Sequence, residues 1–212
     1  AEEDVVVTIS HQGFIKRFPV SGYRRQSRGG KGVTGVSTKE DDFIEHMFIA
    51  STHQYILFFT DKGRCYWLKV HEVPEGGRTA RGRSIINLLE KEKDELITAF
   101  VAVKEFTDNQ YLIMATKKGT IKKTVLSAYG NVRKGGINAI NLVDDDKLIA
   151  VKMTDGNNDI VIGTRSGFAI RFNEQDVRDM GRTATGVRGI RLQKGDEVVG
   201  LLVIKHPQTS VL

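Results

Sequence analysis

Nine consecutive residues, Arg24-Arg25-Gln26-Ser27-Arg28-Gly29-Gly30-Lys31-Gly32, put four cations, one amide and one hydroxyl on a stretch with three glycines. Backbone N–H groups beside glycine can close on an anion. Such a loop can follow a phosphodiester backbone, yet it offers little that reads base edges. Tolerance of sequence is the expected result. The overlapping Gly30-Lys31-Gly32-Val33-Thr34-Gly35 spells G-x-G-x-x-G. A dinucleotide site needs an apolar strand before it and a helix after it. Here Tyr23–Arg28 precedes it and Val36-Ser37-Thr38-Lys39-Glu40-Asp41-Asp42 follows, so that reading fails.

Other chemistries find less support. His11, His46, His53, His71 and His206 are scattered, and none has ligand spacing with Cys65 or another histidine. Cys65 follows a turn glycine beside Tyr66 and Trp67, which predicts a small buried hydrophobe. There is no Walker A motif, no paired-carboxylate pattern and no Ser/His/Asp order. The expectation is a module with no catalytic residue, no metal site and no cofactor of its own.

The elements that must position the cations repeat. Four stretches share one form: an apolar β-rich run, three polar residues, a glycine and a second β-rich run. They centre on Gly13, Gly63, Gly119 and Gly167, with Ser10, Thr60, Thr116 and Thr164 three places before. This spells a β-hairpin with glycine in the left-handed position of a short turn. The anchor glycines lie 50, 56 and 48 residues apart, and Gly32, Gly82, Gly136 and Gly186 follow at +19, +19, +17 and +19. Each second glycine opens another β-like stretch, such as Arg83–Leu88, Ile137–Leu142 and Val187–Leu192. An acidic patch then leads into a further apolar strand at Phe43-Ile44, Leu96-Ile97, Leu148-Ile149 and Val198-Val199.

Four strands per repeat at a period near 50 predict an all-β, propeller-like array. One unit cannot bury its faces alone, so neighbours must stack. The expected organisation is a single repeat domain over 1–212, with blades at about 1–50, 51–103, 104–154 and 155–205, and 206–212 starting a further repeat. Glu90–Ala99 and Asn173–Met180 could each hold a helical turn.

Charge segregates in register with the repeat. The windows Gly13–Gly35, Gly63–Ile85, Gly119–Ala139 and Gly167–Gly189 hold 19 of the 32 Lys and Arg but 5 of the 26 Asp and Glu. Their net charge is +14, against −8 elsewhere. Cations that merely solubilise loops would mix signs, so a basic band is expected on one edge and the acidic residues on another. The net charge of +6 suits an anionic partner. One cysteine permits no internal disulfide, which fits a reducing cytoplasmic home. The longest apolar run, Val198–Ile204, is too short to span a bilayer. Opening on Ala1-Glu2-Glu3-Asp4 suggests a segment of something longer.

Gln26-Ser27-Arg28-Gly29-Gly30-Lys31-Gly32 resembles the heptapeptide box, Gln-Arg-Arg-Gly-Gly-Lys-Gly, of the C-terminal domain of the bacterial DNA gyrase A subunit. Six of seven positions agree. The later repeats, including Gly181–Ile190, look like further blades of that domain. The resemblance covers essentially the whole chain. It implies a β-pinwheel whose blades exchange strands, with duplex DNA bent around the perimeter in one handedness. It also implies ATP hydrolysis on a separate B subunit, an A2B2 assembly with the rest of the A subunit, and a bacterial, nucleoid-associated cytoplasmic location. Two departures stand out: Ser27 replaces an arginine of the box, and four repeats are visible where the family usually has six blades. Topoisomerase IV relatives carry degraded boxes, so the near-intact box favours gyrase over that alternative. An isolated domain of this kind is expected to be monomeric.

The residues expected to meet DNA are Lys16, Arg17, Arg24, Arg25, Gln26, Arg28, Gly29, Gly30, Lys31, Gly32, Arg78, Arg81, Arg83, Lys122, Lys123, Arg133, Lys134, Arg171, Arg182 and Arg188. The rival functions are a propeller binding an acidic protein and a propeller enzyme. The second would need convergent histidines or carboxylates at strand starts, which the sequence lacks.

Overall fold

The computed structural model describes residues 1–21, 41–92 and 94–206. The arginine–glycine stretch Arg24–Gly32, with the whole box, lies outside the described residues. The chain packs as two compact units: residues 1–56, 67–91 and 102–104 form one, and residues 57–66, 92–101 and 105–212 the other.

Each hairpin forms where the repeat predicts it. The strand pairs are β1 (Asp4–Ser10) with β2 (Phe14–Pro19), β4 (Tyr55–Thr60) with β5 (Arg64–Lys69), β8 (Tyr111–Thr116) with β9 (Thr120–Val125), and β12 (Asp159–Thr164) with β13 (Ala169–Asn173). Between them Gly13, Gly63, Gly119 and Gly167 take φ of +86°, +81°, +96° and +93°. Only glycine adopts such angles without strain, so the anchor positions admit no other residue cheaply. The hydroxyl three places earlier also has a physical reason. Ser10 Oγ accepts from the N–H of Phe14 at 3.0 Å, Thr60 Oγ1 from Arg64 at 3.2 Å, Thr116 Oγ1 from Thr120 at 3.1 Å and Thr164 Oγ1 from Phe168 at 3.1 Å. The turn therefore satisfies its own backbone.

A third long strand completes each repeat: β3 (Ile44–Ser51), β7 (Ile97–Val103), β11 (Leu148–Thr154) and β15 (Val198–Ile204). The stretches after Gly82, Gly136 and Gly186 yield only two-residue strands, β6 (Arg83–Ser84), β10 (Ile137–Asn138) and β14 (Val187–Arg188). These leave their own repeat. The sheets run β3-β1-β2-β6, β10-β5-β4-β7, β11-β8-β9-β14 and β13-β12-β15, all antiparallel. The second strand of each of the first three hairpins thus takes its outer neighbour from the following repeat, which is the strand exchange of a β-pinwheel. Within the first unit Phe14 pairs with Ser84 and Ile15 with Arg83; within the second, Ile121 pairs with Val187 and Cys65 with Ile137.

Close approach explains the second glycine. A Cβ on Gly82 would sit 2.3 Å from the Ile15 carbonyl oxygen, and one on Gly186 2.5 Å from that of Ile121. Their φ values are +87° and +103°. The chain can cross to the neighbouring hairpin only where no side chain intervenes.

The cores are aliphatic. In the first unit Val5, Val6, Val7, Ile9 and Ile15 are buried. In the second, Ile113, Ala115, Ile121, Ile160, Ile162, Val177, Val198 and Leu201 form one cluster. Each such side chain contributes roughly 1.5–3 kcal/mol on leaving water, so strand alternation sets which face each cation can use.

Helical structure meets expectation in Asn173–Met180, where Glu174–Asp176 forms a 3-10 turn, and departs from it elsewhere. Of the expected helical piece Glu90–Ala99, residues 90–92 and 94–96 form no helix and Ile97 already opens β7, whereas Ile85–Leu88, expected as strand, closes one helical turn with the Leu89 N–H donating to the Ile85 carbonyl. Three-residue or four-residue 3-10 turns occur at Val70–Glu72, Leu126–Tyr129 and Glu174–Asp176. No helix among the described residues is long and apolar enough to cross a membrane.

Candidate nucleic-acid interface

The third and fourth residues after each anchor glycine are Lys16-Arg17, Tyr66-Trp67, Lys122-Lys123 and Ile170-Arg171. Neighbours along a strand point to opposite faces. In the first unit Lys16 turns one way and its ammonium donates to the carbonyls of Gly77, Arg78 and Ala80 at 3.0, 3.3 and 2.9 Å. Arg17 turns the other way, donating to Val73 O at 2.7 Å and His71 O at 3.3 Å and pairing with Glu75 at 3.1 Å. The second unit repeats the arrangement. Lys122 donates to Ala139 O at 2.6 Å, to Gly181 O at 3.4 Å and to Arg182 O. Lys123 reaches Glu174, its carbonyl at 3.2 Å and its carboxylate at 3.5 Å, and lies over the Tyr111 ring.

These contacts correct part of the expected interface. Lys16, Lys122 and Lys123 are buried, Lys122 completely, so they present no charge to a phosphate outside. Their charge is spent on backbone carbonyls and one carboxylate. Arg17 is largely covered and committed to the Val70–Glu75 segment. Arg171 is exposed but pairs with Asp159 at 2.8 Å, and that guanidinium holds the Asp159 carboxyl below its ordinary range. Burial lowers the pKa of Lys16 and brings that of Lys122 down to about 7, with the nearby charge of Arg182 adding to the effect.

The remaining cations sit on the segments that carry the exchanged strands. Arg78 and Arg81 are half-buried; the Arg81 guanidinium stacks 3.7 Å from the Phe14 ring centre and donates to Gln12 Oε1 at 2.8 Å. Neither Nε has a hydrogen-bond partner. Arg83, Arg133, Lys134 and Arg188 are exposed and make no ion pair among the described residues. Arg182 is half-buried and donates to Asn138 O. The same tetrapeptide, Gly-Arg-Thr-Ala, folds identically in both units: Ala80 N–H donates to Gly77 O at 3.2 Å and Ala184 N–H to Gly181 O at 3.1 Å. Arg24, Arg25, Gln26, Arg28, Gly29, Gly30, Lys31 and Gly32 lie outside the described residues.

One cation missing from the expected set belongs with them. Arg64 donates to Gly135 O at 2.7 Å and to Asn138 Oδ1 at 3.2 Å, steadying the segment that carries Arg133 and Lys134. Its signal in the sequence is its place directly after an anchor glycine. Where Lys16 and Lys122 stand in their repeats, this one has Tyr66, whose hydroxyl donates to the buried Glu95 at 2.6 Å.

The acidic patches serve the hairpins. Asp42 Oδ1 accepts from the N–H groups of Gln12 and Phe43, Asp146 Oδ1 from Lys118 and Lys147, and Asp196 Oδ1 from Ser166 and Glu197. For Asp42 and Asp196, burial pushes the carboxyl up, but the hydrogen bonds outweigh it and leave both below the ordinary range. Each strap ties a hairpin turn to the strand after the patch.

The sequence model of the DNA gyrase C-terminal domain, a beta-propeller, matches residues 4–51, 54–102, 110–155 and 158–205, one match per repeat. The chain belongs to the DNA gyrase C-terminal domain family. The DNA gyrase A subunit of Halalkalibacterium halodurans is 53% identical over 188 residues, 89% of this chain and 23% of that protein. Its counterpart in Clostridium acetobutylicum is 54% identical over the same shares, and that of Staphylococcus aureus 49% over 94% of this chain and 23% of that protein. The chain therefore spans about a quarter of the length of these gyrase relatives. Among solved structures, the C-terminal domain of DNA topoisomerase IV superposes with a TM-score of 0.83 at 32% identity, over 97% of this chain and 62% of that one. The DNA gyrase A C-terminal domain superposes at 0.71 and 27%, over 96% and 66%. Gyrase-family membership thus joins the four-sheet architecture to a type II topoisomerase context.

Proposed function

We propose that this chain is the non-catalytic module of a gyrase A subunit that binds duplex DNA without sequence preference, bends it and wraps it. In that reading it supports ATP-dependent negative supercoiling by an A2B2 assembly with the B subunit plus the rest of the A subunit, on the bacterial nucleoid in the cytoplasm. The observation that carries it is the set Arg83, Arg133, Lys134 and Arg188: exposed, without an acidic partner among the described residues, and each close to a strand-crossing glycine or on the strand it opens. Some cations outside the set are paired instead, as Lys62 is with Asp94 and Lys117 and Arg165 are with Glu197. Bending duplex sharply costs several kcal/mol, of order 1–6 for a site of two or three turns. Many phosphate contacts offset that cost without reading bases, as histones do. Gln26, Arg28, Gly29, Gly30, Lys31 and Gly32 supply the first anchor of the path, with Arg24 and Arg25 standing in for the cation that Ser27 lacks.

The test is a mobility shift with random-sequence duplexes of increasing length, joined to a topoisomer assay on relaxed plasmid. Affinity that rises with length and a shift in linking number are expected. Length-independent binding with no linking change would overturn wrapping.

A further inference from the structure

We propose that Lys16 and Lys122 are positioning residues for DNA binding: each grips a Gly-Arg-Thr-Ala turn by its carbonyls and so fixes the backbone from which Arg78 or Arg182 projects. The inference rests on the DNA-binding reading above and deepens it.

Three observations carry it. First, the arrangement occurs twice, once in each unit, with the same tetrapeptide, the same offset from the anchor glycine and the same internal hydrogen bond. Second, lysine and turn vary together within the chain. Tyr66 replaces the lysine where the following segment is two residues shorter and reads Arg133-Lys134-Gly135-Gly136, and there Arg64 takes the carbonyl instead. Third, a lysine is a costly residue to bury, and an apolar side chain of the same length would cost far less. Its retention in two repeats calls for something an apolar chain cannot do. Drawing the carbonyls of the turn onto an ammonium fixes the backbone of the turn and leaves its arginine half-buried, Arg182 donating to Asn138 O. With its carbonyls engaged on the lysine, the turn leaves the exposed part of its arginine for an anion outside.

A double-substitution cycle on the full chain reads the coupling. DNA affinity is measured by fluorescence anisotropy with a random-sequence duplex for the unsubstituted chain, K122M, R182A and the pair, and in parallel for K16M, R78A and their pair. If each lysine acts through its turn, K122M weakens binding by about the factor R182A does, some five- to tenfold, and the double variant is no more than about twofold weaker than R182A. Losses that multiply, or a K122M that binds normally, overturn the proposal while leaving DNA binding intact. An unsubstituted chain that does not bind duplex overturns the DNA reading itself. Should a lysine variant fail to fold, side-chain nitrogen NMR of the unsubstituted chain decides. Ammonium signals of Lys16 and Lys122 that are protected before DNA is added and unmoved after it, with guanidinium signals of Arg78 and Arg182 shifting, support positioning. Lysine signals that move with the DNA, or arginine signals that stay put, overturn it.

Discussion

The ammonium of Lys122 lies 2.6 Å from the carbonyl oxygen of Ala139, at a place no solvent reaches. Burial has brought its pKa from the ordinary 10.5 to about 7. Between those values the unfolded chain carries a proton that the folded chain has released. Stability therefore rises with pH across that window, by at most about 1.4 kcal/mol per pH unit from this group. Urea unfolding from pH 7 to 10 on the unsubstituted chain and on K122M measures it: the rise is expected to be smaller in K122M. Equal slopes would show that Lys122 stays protonated in the fold.

Salt should report the phosphate contacts. If about eight phosphates are neutralised, log K falls against log salt with a slope near −7, and removing Arg83, Arg133 or Arg188 singly should lower its magnitude by about 0.9 each. A slope close to zero would remove the wrapping reading.

Neutralising Arg28 and Lys31 together should abolish the linking-number change while weakening simple binding only several-fold, because a bent path needs its first anchor. Losses of equal size in both assays would reduce the box to one more phosphate contact.

Two glycines make a matched pair for thermal unfolding. Gly186 has φ +103° and an Ile121 oxygen where its Cβ would go, so Gly186→Ala should cost on the order of 1–3 kcal/mol or more. Gly200 has open space and an ordinary φ, so Gly200→Ala should stay within about 0.5 kcal/mol. Similar melting temperatures for the two variants would contradict the crossing geometry.

Much of this is readable from residues. The hairpins, their left-handed glycines and the hydroxyls three places before them follow from local rules, because a turn is a short-range object. The exchanged strands are harder. Arg83-Ser84 and Val187-Arg188 are two residues long, and no periodicity says which neighbour they pair with; only the family resemblance implies it. Lys16 and Lys122 escape a reading by charge, since a cation in a basic window looks solvated until the carbonyls that receive it are placed, 61 to 64 and 17 to 60 residues away. Asp42, Asp146 and Asp196 look like a charged edge for the same reason; their role at the turns depends on which N–H groups the fold brings to them.

Because β6, β10 and β14 leave their own repeats to finish the hairpin before, a border drawn between repeats in the sequence is not a border in the hydrogen-bonded ladder. Excising one repeat would strip an edge from its predecessor and bare a row of backbone donors and acceptors. Shortening or lengthening such an array is therefore a matter of splicing at the crossings after Gly82, Gly136 and Gly186, where donor and recipient can be kept together, rather than at the apparent seams.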